Sequence, residues 1–332
     1  MVKKIAIVLG ILVAIGGLAG GIAFYKLNDS YGLMTTKVVR HNAQVSPATR
    51  LRFSVDTLRL GEDILPYLPE NLPLPGWLPW DLPALLPKIL PREVAILGGS
   101  DYAANAYNLT VFINEQKGGP MLPKLLNDQA QLPNRFPAVA WDDEGFQLKE
   151  RGILTVEGQL PLPLGLEDRI LETWSLDPPT EALQLYGKHM AEGVIDNRNG
   201  DILTLIGGLA PIWGTTLDQI NKESNSAVML GMLDHIHDIR IAVDLKNTDT
   251  LLLQIRIHAE KEVGGQLEFF IPFAMPMLAQ QIKAQYGLTL KSENTWNPDD
   301  ETYTVDLSVT GVEEKFRDYF RSAIPTSTAA PK

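Results

Sequence analysis

The 332-residue chain contains no cysteine. This absence excludes disulfide frameworks, thiolate-bound zinc, iron–sulfur clusters and thiol catalysis, as well as the lipid-modified cysteine of a bacterial lipoprotein. The sequence also lacks the G-x-S-x-G elbow, the G-x-x-x-x-G-K-[ST] phosphate loop, the G-x-G-x-x-G turn after a strand and the H-E-x-x-H zinc motif. We therefore expect no cofactor and no catalytic residues. A hydrolase or transferase whose polar groups converge only in the fold stays open.

Positive charge is also scarce, with 29 Lys and Arg against 40 Asp and Glu and a net charge of −11. Lys3, Lys4 and Lys26 flank an apolar N-terminal run that holds no acidic residue, so residues 27–332 carry a net charge of −14. Such a body repels phosphate groups, which argues against nucleic-acid binding and against attachment to anionic lipid through basic patches. The composition, 45% hydrophobic and 21% charged, is that of a globular protein.

Residues 5–25 form a run of 21 residues without a charge. At 1.5 Å per residue, this run is long enough to cross a hydrocarbon core of roughly 30 Å. We therefore predict a transmembrane signal anchor at 1–26 and a stalk at 27–50. The short N-terminal tail favours a single-pass protein of the bacterial inner membrane, with a cytoplasmic N-terminus and a periplasmic body. A cleaved signal peptide is the alternative, although its apolar region is usually only about 7–15 residues long.

Small residues recur four apart within this run, as Gly16 with Gly20 and Gly17 with Gly21. Glycines at this spacing share one helix face and let a neighbouring backbone approach closely. They predict packing of the transmembrane helix with a second copy or with another integral membrane protein. The alternative is that glycine is simply common in such spans.

Residues 64–91 contain eight Leu-Pro steps. Five of their prolines are spaced four apart, which excludes a continuous α-helix because each proline removes a backbone donor and clashes with the preceding turn. Such an apolar segment is expected to pack on its own body, to dock on a partner or to lie at the membrane interface. The predicted docking side chains are Tyr67, Trp77, Leu78, Trp80, Leu82 and Leu86.

The rest of the chain predicts an α+β body with antiparallel sheets, built from two copies of one unit at 51–175 and 176–325. The segments 109–117 and 253–261 resemble each other at an offset of 144, and 155–157 resembles 304–306 at an offset of 149. Similar offsets in the same order are the signature of an internal repeat. Chance similarity between amphipathic strands is the alternative. The small, polar residues at 326–332 predict a flexible tail.

Local patterns give three further expectations for the elements. The pattern at 52–60 predicts a strand, and the segment from 178 to about 191 predicts a helix. The segments 239–245 and 251–259 predict a hairpin. A long helix is expected at 266–286, interrupted by Pro272 and Pro276.

Three polar clusters are candidates for chemistry. His235 and His237 would share one face of a strand and offer two imidazoles to a metal. We favour a polar strand entrance, because no third ligand is apparent. The segment 196–201 resembles a calcium loop but lacks its spacing, since Arg198 and Gly200 stand at the wrong positions. Asp142 and Asp143 are neighbours on a loop, which is poor evidence for acid–base catalysis. No metal site is therefore predicted.

These observations predict a non-catalytic, membrane-anchored periplasmic protein that acts as a scaffold or accessory subunit of a membrane or envelope complex. Its expected partners are integral membrane proteins or a second copy, reached through the N-terminal helix, with lipid as a further contact and no nucleic acid. The alternative is a periplasmic binding module or carrier for a lipid or another apolar small molecule.

Overall fold

The computed structural model describes residues 49–64, 67, 91–101, 104–114, 123–124, 126–127, 132–150, 153–161, 185, 188–197, 200–209, 219 and 231–323. The predicted transmembrane segment with Gly16, Gly17, Gly20 and Gly21, the stalk to residue 48 and the tail lie outside these residues. Of the predicted docking side chains, Tyr67 is described, whereas Trp77, Leu78, Trp80, Leu82 and Leu86 are not.

The described chain is an α+β protein with one large antiparallel sheet and few helices, as the sequence predicts. The strands are β1 (Leu51–Asp56), β2 (Glu93–Asp101), β3 (Ala106–Asn114), β4 (Ala140–Trp141), β5 (Gln147–Glu150), β6 (Ile153–Pro161), β7 (Ala191–Asp196), β8 (Ile236–Asn247), β9 (Thr250–Ala259), β10 (Thr289–Asn297) and β11 (Thr302–Thr310). The helices are α1 (Thr57–Ile64), α2 (Leu132–Arg135), α3 (Asp201–Leu209), α4 (Lys261–Tyr286) and α5 (Val312–Ala323).

The sheet has two halves with the same strand order. The order across it is β10-β11-β9-β8-β7-β1-β2-β3-β6-β4, and β5 also pairs with β6. Outward from the central pair β1 and β7, each half continues with a hairpin, then with the last strand of that half, and then with an edge strand. Along the chain, β1 is followed by α1 and β7 is followed by α3.

The strand registers of the two halves also match. Val111 lies opposite Val156 in the first half, and Ile255 lies opposite Val305 in the second. Ile255 follows Val111 by 144 residues and Val305 follows Val156 by 149, which are the two offsets seen in the sequence. The similar sequence segments therefore occupy matching positions in the two halves of the sheet.

One face of the sheet is apolar across both halves, because side chains alternate between the faces of a strand. On this face Val55 lies opposite Val94, and Ile241 lies opposite Ile255. Buried clusters on this side pack against the helices, including Val263 of α4 in the second half. The other face of the second half carries polar side chains such as Arg240 and Asp306.

The opposite face near the centre of the sheet contains a buried polar cluster around Glu93. The Ser54 hydroxyl and the Asn114 amide each donate a hydrogen bond to this carboxylate, and Arg52 lies 3.6 Å from it. All four side chains are buried. A buried carboxylate is tolerable only when donors and a counter-charge replace its water, and this cluster supplies both.

Three local expectations are wrong. The helix expected from 178 to about 191 does not reach residue 191, where the central strand β7 begins and pairs with β1 on one side and β8 on the other. Residues 178–184, 186 and 187 lie outside the described residues. The strand at 52–60 ends at Asp56, where α1 begins. Helix α4 is not interrupted at its prolines but continues to Tyr286 and ends at Gly287, which adopts the left-handed conformation with φ +71°. Tertiary packing of α4 against the sheet outweighs the local cost of each proline.

Helix α4 packs against the edge of the sheet through a close contact at Gly264. A Cβ at this position would overlap the ring carbons of Trp296 in β10, whereas a Cβ at Gly265 would meet nothing within 4 Å. Gly264 therefore lets the helix backbone approach the tryptophan ring.

Gly264→Ala should destabilise the protein by about 1–3 kcal/mol, because the added methyl overpacks the contact with Trp296. Gly265→Ala is the matched control and should stabilise the exposed helix position by about 0.5–1 kcal/mol. Urea unfolding of the two full-length variants in detergent measures both effects. Equal effects of the two substitutions would contradict the contact.

Candidate functional site

Helix α4 exposes an apolar surface made of four large side chains. Phe269, Phe270, Phe273 and Met277 are 72%, 45%, 69% and 65% exposed. Phe269, Phe273 and Met277 follow one another at spacings of four, so they lie along one side of the helix. We call these four side chains the α4 apolar face.

The opposite side of α4 packs on the sheet. Met275 and Ile282 are buried against Leu290, with Leu307 and Val309 packed beside them. The helix is thus apolar on its outward side as well as on its packed side. A surface helix of a soluble domain normally carries polar residues on its outward side.

The stretch of α4 that carries the α4 apolar face is uncharged. No Asp, Glu, Lys or Arg occurs between Glu268 and Lys283 along the helix. The rings of Phe269 and Phe270 meet edge to face, with centroids 5.6 Å apart. Large exposed apolar patches mark sites of contact with proteins, membranes or ligands.

The sequence predicts the helix but not this surface. Because an interruption was expected at Pro272 and Pro276, the sequence did not indicate that one continuous helix places the side chains of the α4 apolar face on one side. The signal that could have identified the surface is the uncharged stretch 269–282. Only about every third or fourth residue of a helix faces a sheet. A stretch of this length without charges therefore leaves uncharged residues on the outward side as well.

None of the helices in the described ranges combines the length and apolar character needed to cross a bilayer.

Tyr67, the described member of the predicted docking set, is buried against the body of the protein. Its side chain is 1% exposed and its ring lies 5.0 Å from that of Phe316 in α5. Its hydroxyl donates a hydrogen bond of 2.5 Å to the carbonyl of Thr248. Burial, and then the carboxylate of Glu313, raise the pKa of Tyr67 to about 12, so the hydroxyl stays protonated. Tyr67 is therefore packed within the described body of the protein.

Tyr67→Phe should destabilise the protein by about 0.5–1.5 kcal/mol, because the carbonyl of Thr248 loses its donor. Tyr67→Ala should cost about 3–5 kcal/mol through loss of the packed ring. Phe269→Ala is the matched control, because it truncates a ring that the protein leaves exposed. All variants are compared in detergent. Urea unfolding that gave equal losses for the two alanine variants would contradict the burial of Tyr67.

The histidines of the predicted strand entrance do not converge. His235 Nδ1 lies 3.0 Å from Glu260 Oε2, whereas the ring of His237 lies 4.9 Å from that of His258. His237 lies in β8 where the register shifts between Ile236 and Asp238, and His235 precedes the strand. Among the described residues, no group of three His, Cys, Asp or Glu side chains is arranged to hold a metal.

In the segment 196–201, Asp196 ends β7 and Asp201 begins α3, whereas residues 198 and 199 lie outside the described residues. Asn197 organises this segment, because its Oδ1 accepts a hydrogen bond from the Ile202 amide and its Nδ2 donates to the Ile236 carbonyl. Gly200 adopts φ +71°, which favours glycine. The other candidate, Asp142, accepts a hydrogen bond from the Glu144 amide in an exposed turn. Both segments serve local turn geometry.

Asp201 at the start of α3 is a fully buried carboxyl group. The Ser100 hydroxyl donates a hydrogen bond of 3.2 Å to its Oδ1, and its Oδ2 has no hydrogen-bond partner in the described part of the chain. Burial raises the pKa of Asp201 to about 7, against the lowering effects of Ser100 and Arg50. Because the unfolded chain releases this proton near pH 4, the native state loses stability as the pH rises from about 4 to about 7.

Asp201→Asn should remove this loss. Relative to the parent chain, the variant should gain up to about 4 kcal/mol of unfolding free energy between pH 4 and pH 8. Asp299→Asn removes one carboxylate from the exposed β10–β11 turn and is the matched control. Urea unfolding across this pH range would contradict the account if both variants followed the parent's pH dependence.

Comparison with known proteins identifies no family. No family model and no curated protein matches the chain. Among solved structures, crystal form I of TP0453 aligns over 84% of this chain and 98% of that chain, with 10% sequence identity and a TM-score of 0.30.

Proposed function

We propose that this protein is a non-catalytic, membrane-anchored scaffold or accessory subunit of a bacterial envelope complex, with two copies of one α+β unit in the periplasm. The proposal combines the uncharged run at 5–25, the glycine pairs within it and the α4 apolar face. The glycine pairs are the observation that carries it, because glycines four apart let a transmembrane helix pack closely on a neighbouring one.

The burial that the α4 apolar face forgoes supports an interaction role. A large apolar side chain that stays in water forgoes the roughly 1.5–3 kcal/mol that full burial would contribute. Native domains are stable by only about 5–15 kcal/mol, so the stabilisation forgone at four such side chains on one side of a helix is substantial. A functional contact that covers them accounts for their presence.

The repeated sheet supports the two-copy architecture within this proposal. Both the strand order and the registers at Val111 and Ile255 follow the sequence offsets. A sheet built in this way offers a broad rigid platform. Packing of the transmembrane helix through Gly16, Gly17, Gly20 and Gly21 would place that platform beside an integral membrane partner.

A carrier of lipid or another apolar small molecule is the second candidate. It is favoured by half-buried side chains on the apolar side of the second half of the sheet, including Ile241, Leu253 and Ile255. An acyl chain could lie along such a surface, since ligand sites are predominantly apolar.

Extraction of the native protein in mild detergent, followed by mass spectrometry, tests the proposal. We expect a membrane protein to co-purify in stoichiometric amount. Its recovery should be lost when the four glycines are replaced by leucine, because the bulky side chains block close helix approach.

Ala6→Leu is the control, since it adds bulk to the span outside the glycine pairs, and it should leave recovery unchanged. Purification of the chain alone would contradict the accessory role. Purification with a bound lipid or small molecule would favour the carrier.

A further inference from the structure

We propose that the α4 apolar face rests on the surface of the lipid bilayer, as a second membrane contact in addition to the N-terminal anchor. This inference rests on the anchored topology of the proposed function. It assigns to α4 an interfacial position, with the helix parallel to the membrane and the sheet on its aqueous side.

The chemistry of the face suits the lipid interface. Phe269, Phe273 and Met277 are aligned on the outward side, and no charged side chain interrupts the stretch from 269 to 282. Helices that lie in the interface bury an apolar face about 5–10 Å into the boundary between headgroups and acyl chains. The first charged residues on either side, Glu268 and Lys283, can stay in the headgroup region.

The anchor keeps the body close to the bilayer. Between the uncharged run and the first described residue, Thr49, lie residues 26–48. At about 3.3–3.6 Å per residue, this length of chain spans at most about 80 Å. A tethered body is confined near the membrane surface, so even a weak apolar contact is populated through its high effective concentration.

The charge of the body defines the kind of membrane contact. With −14 on residues 27–332, attraction to anionic headgroups is excluded as the driving force. Contact through phenylalanine and methionine side chains depends instead on burial of apolar area. The contact should therefore form on neutral phosphatidylcholine and should not require anionic lipid.

The size of the face argues against a second copy as its occupant. With about 200 Å² for each large side chain, the four residues expose roughly 500 Å². Stable protein–protein interfaces bury about 800 Å² per partner. The face also lacks charged groups, whereas a protein interface of standard size carries about ten hydrogen bonds.

Site-specific spin labels test the inference directly, because the chain has no native cysteine. Single cysteines are introduced as Phe273→Cys and Met277→Cys on the α4 apolar face, and as Leu12→Cys in the anchor. Glu293→Cys is the matched control, since Glu293 is exposed on β10 at the same sheet edge but on the opposite face from the buried Leu290. Each labelled full-length protein is reconstituted into phosphatidylcholine vesicles.

Collision rates with oxygen, which concentrates in lipid, and with a water-soluble nickel complex then locate each label. We expect the oxygen-to-nickel ratio at positions 273 and 277 to exceed that at 293 several-fold, and to resemble that at position 12. A water-like ratio at 273 and 277 with a lipid-like ratio at 12 would overturn the inference and leave the anchor intact. Labels at 273 and 277 shielded from both reagents would also overturn it, since protein would then cover the face.

A water-like ratio at position 12 would contradict the anchor, and with it the proposed function. The two cysteine positions on α4 guard against a local effect of either substitution. Both residues are well exposed, so neither replacement opens a cavity in the core.

Discussion

The antiparallel pairing of β1 with β7 is the interaction on which the rest of the structure depends. It joins the two halves of the sheet, and every other strand of each half is attached through one of these two strands. At its centre Phe53 lies opposite Gly193, where a Cβ would come within 2.7 Å of the Phe53 ring. At its ends the Asp56 amide donates to the Met190 carbonyl, and the Asp196 amide donates to the Arg50 carbonyl.

The two halves correspond in strand order and in register. The exposed α4 apolar face belongs to the second half, where Gly264 and Trp296 fix the helix that carries it.

The sequence predicted those elements whose local pattern agrees with their final environment. The hairpin of β8 and β9 alternates apolar and polar residues because one of its faces is packed and the other faces water. Strand β7 was missed because Glu192 and Gly193 give it no alternation, and its place is decided by neighbours distant in the chain.

The candidate site was less predictable than the fold for a physical reason. Hydrophobic residues at helical spacing indicate a helix, but they do not state which side is covered when every side is apolar. In α4 the coverage follows from where the sheet edge lies, and this depends on strand pairing between segments far apart in the sequence. The partners of buried polar residues such as Glu93 were hidden for the same reason, since Ser54 and Asn114 reach it from neighbouring strands.

Cross-linking of the central strands tests this account most directly. Opposed residues of an antiparallel pair lie about 4.5–5.5 Å apart, which is within the range of a disulfide. In the chain without native cysteine, Leu51→Cys with Ile195→Cys should form a disulfide on mild oxidation, because these residues face each other in the register. Leu51→Cys with Val194→Cys, whose side chains point to opposite faces, should not. Cross-linking of the second pair in place of the first, or of neither, would contradict the central pairing and the two-part sheet built on it.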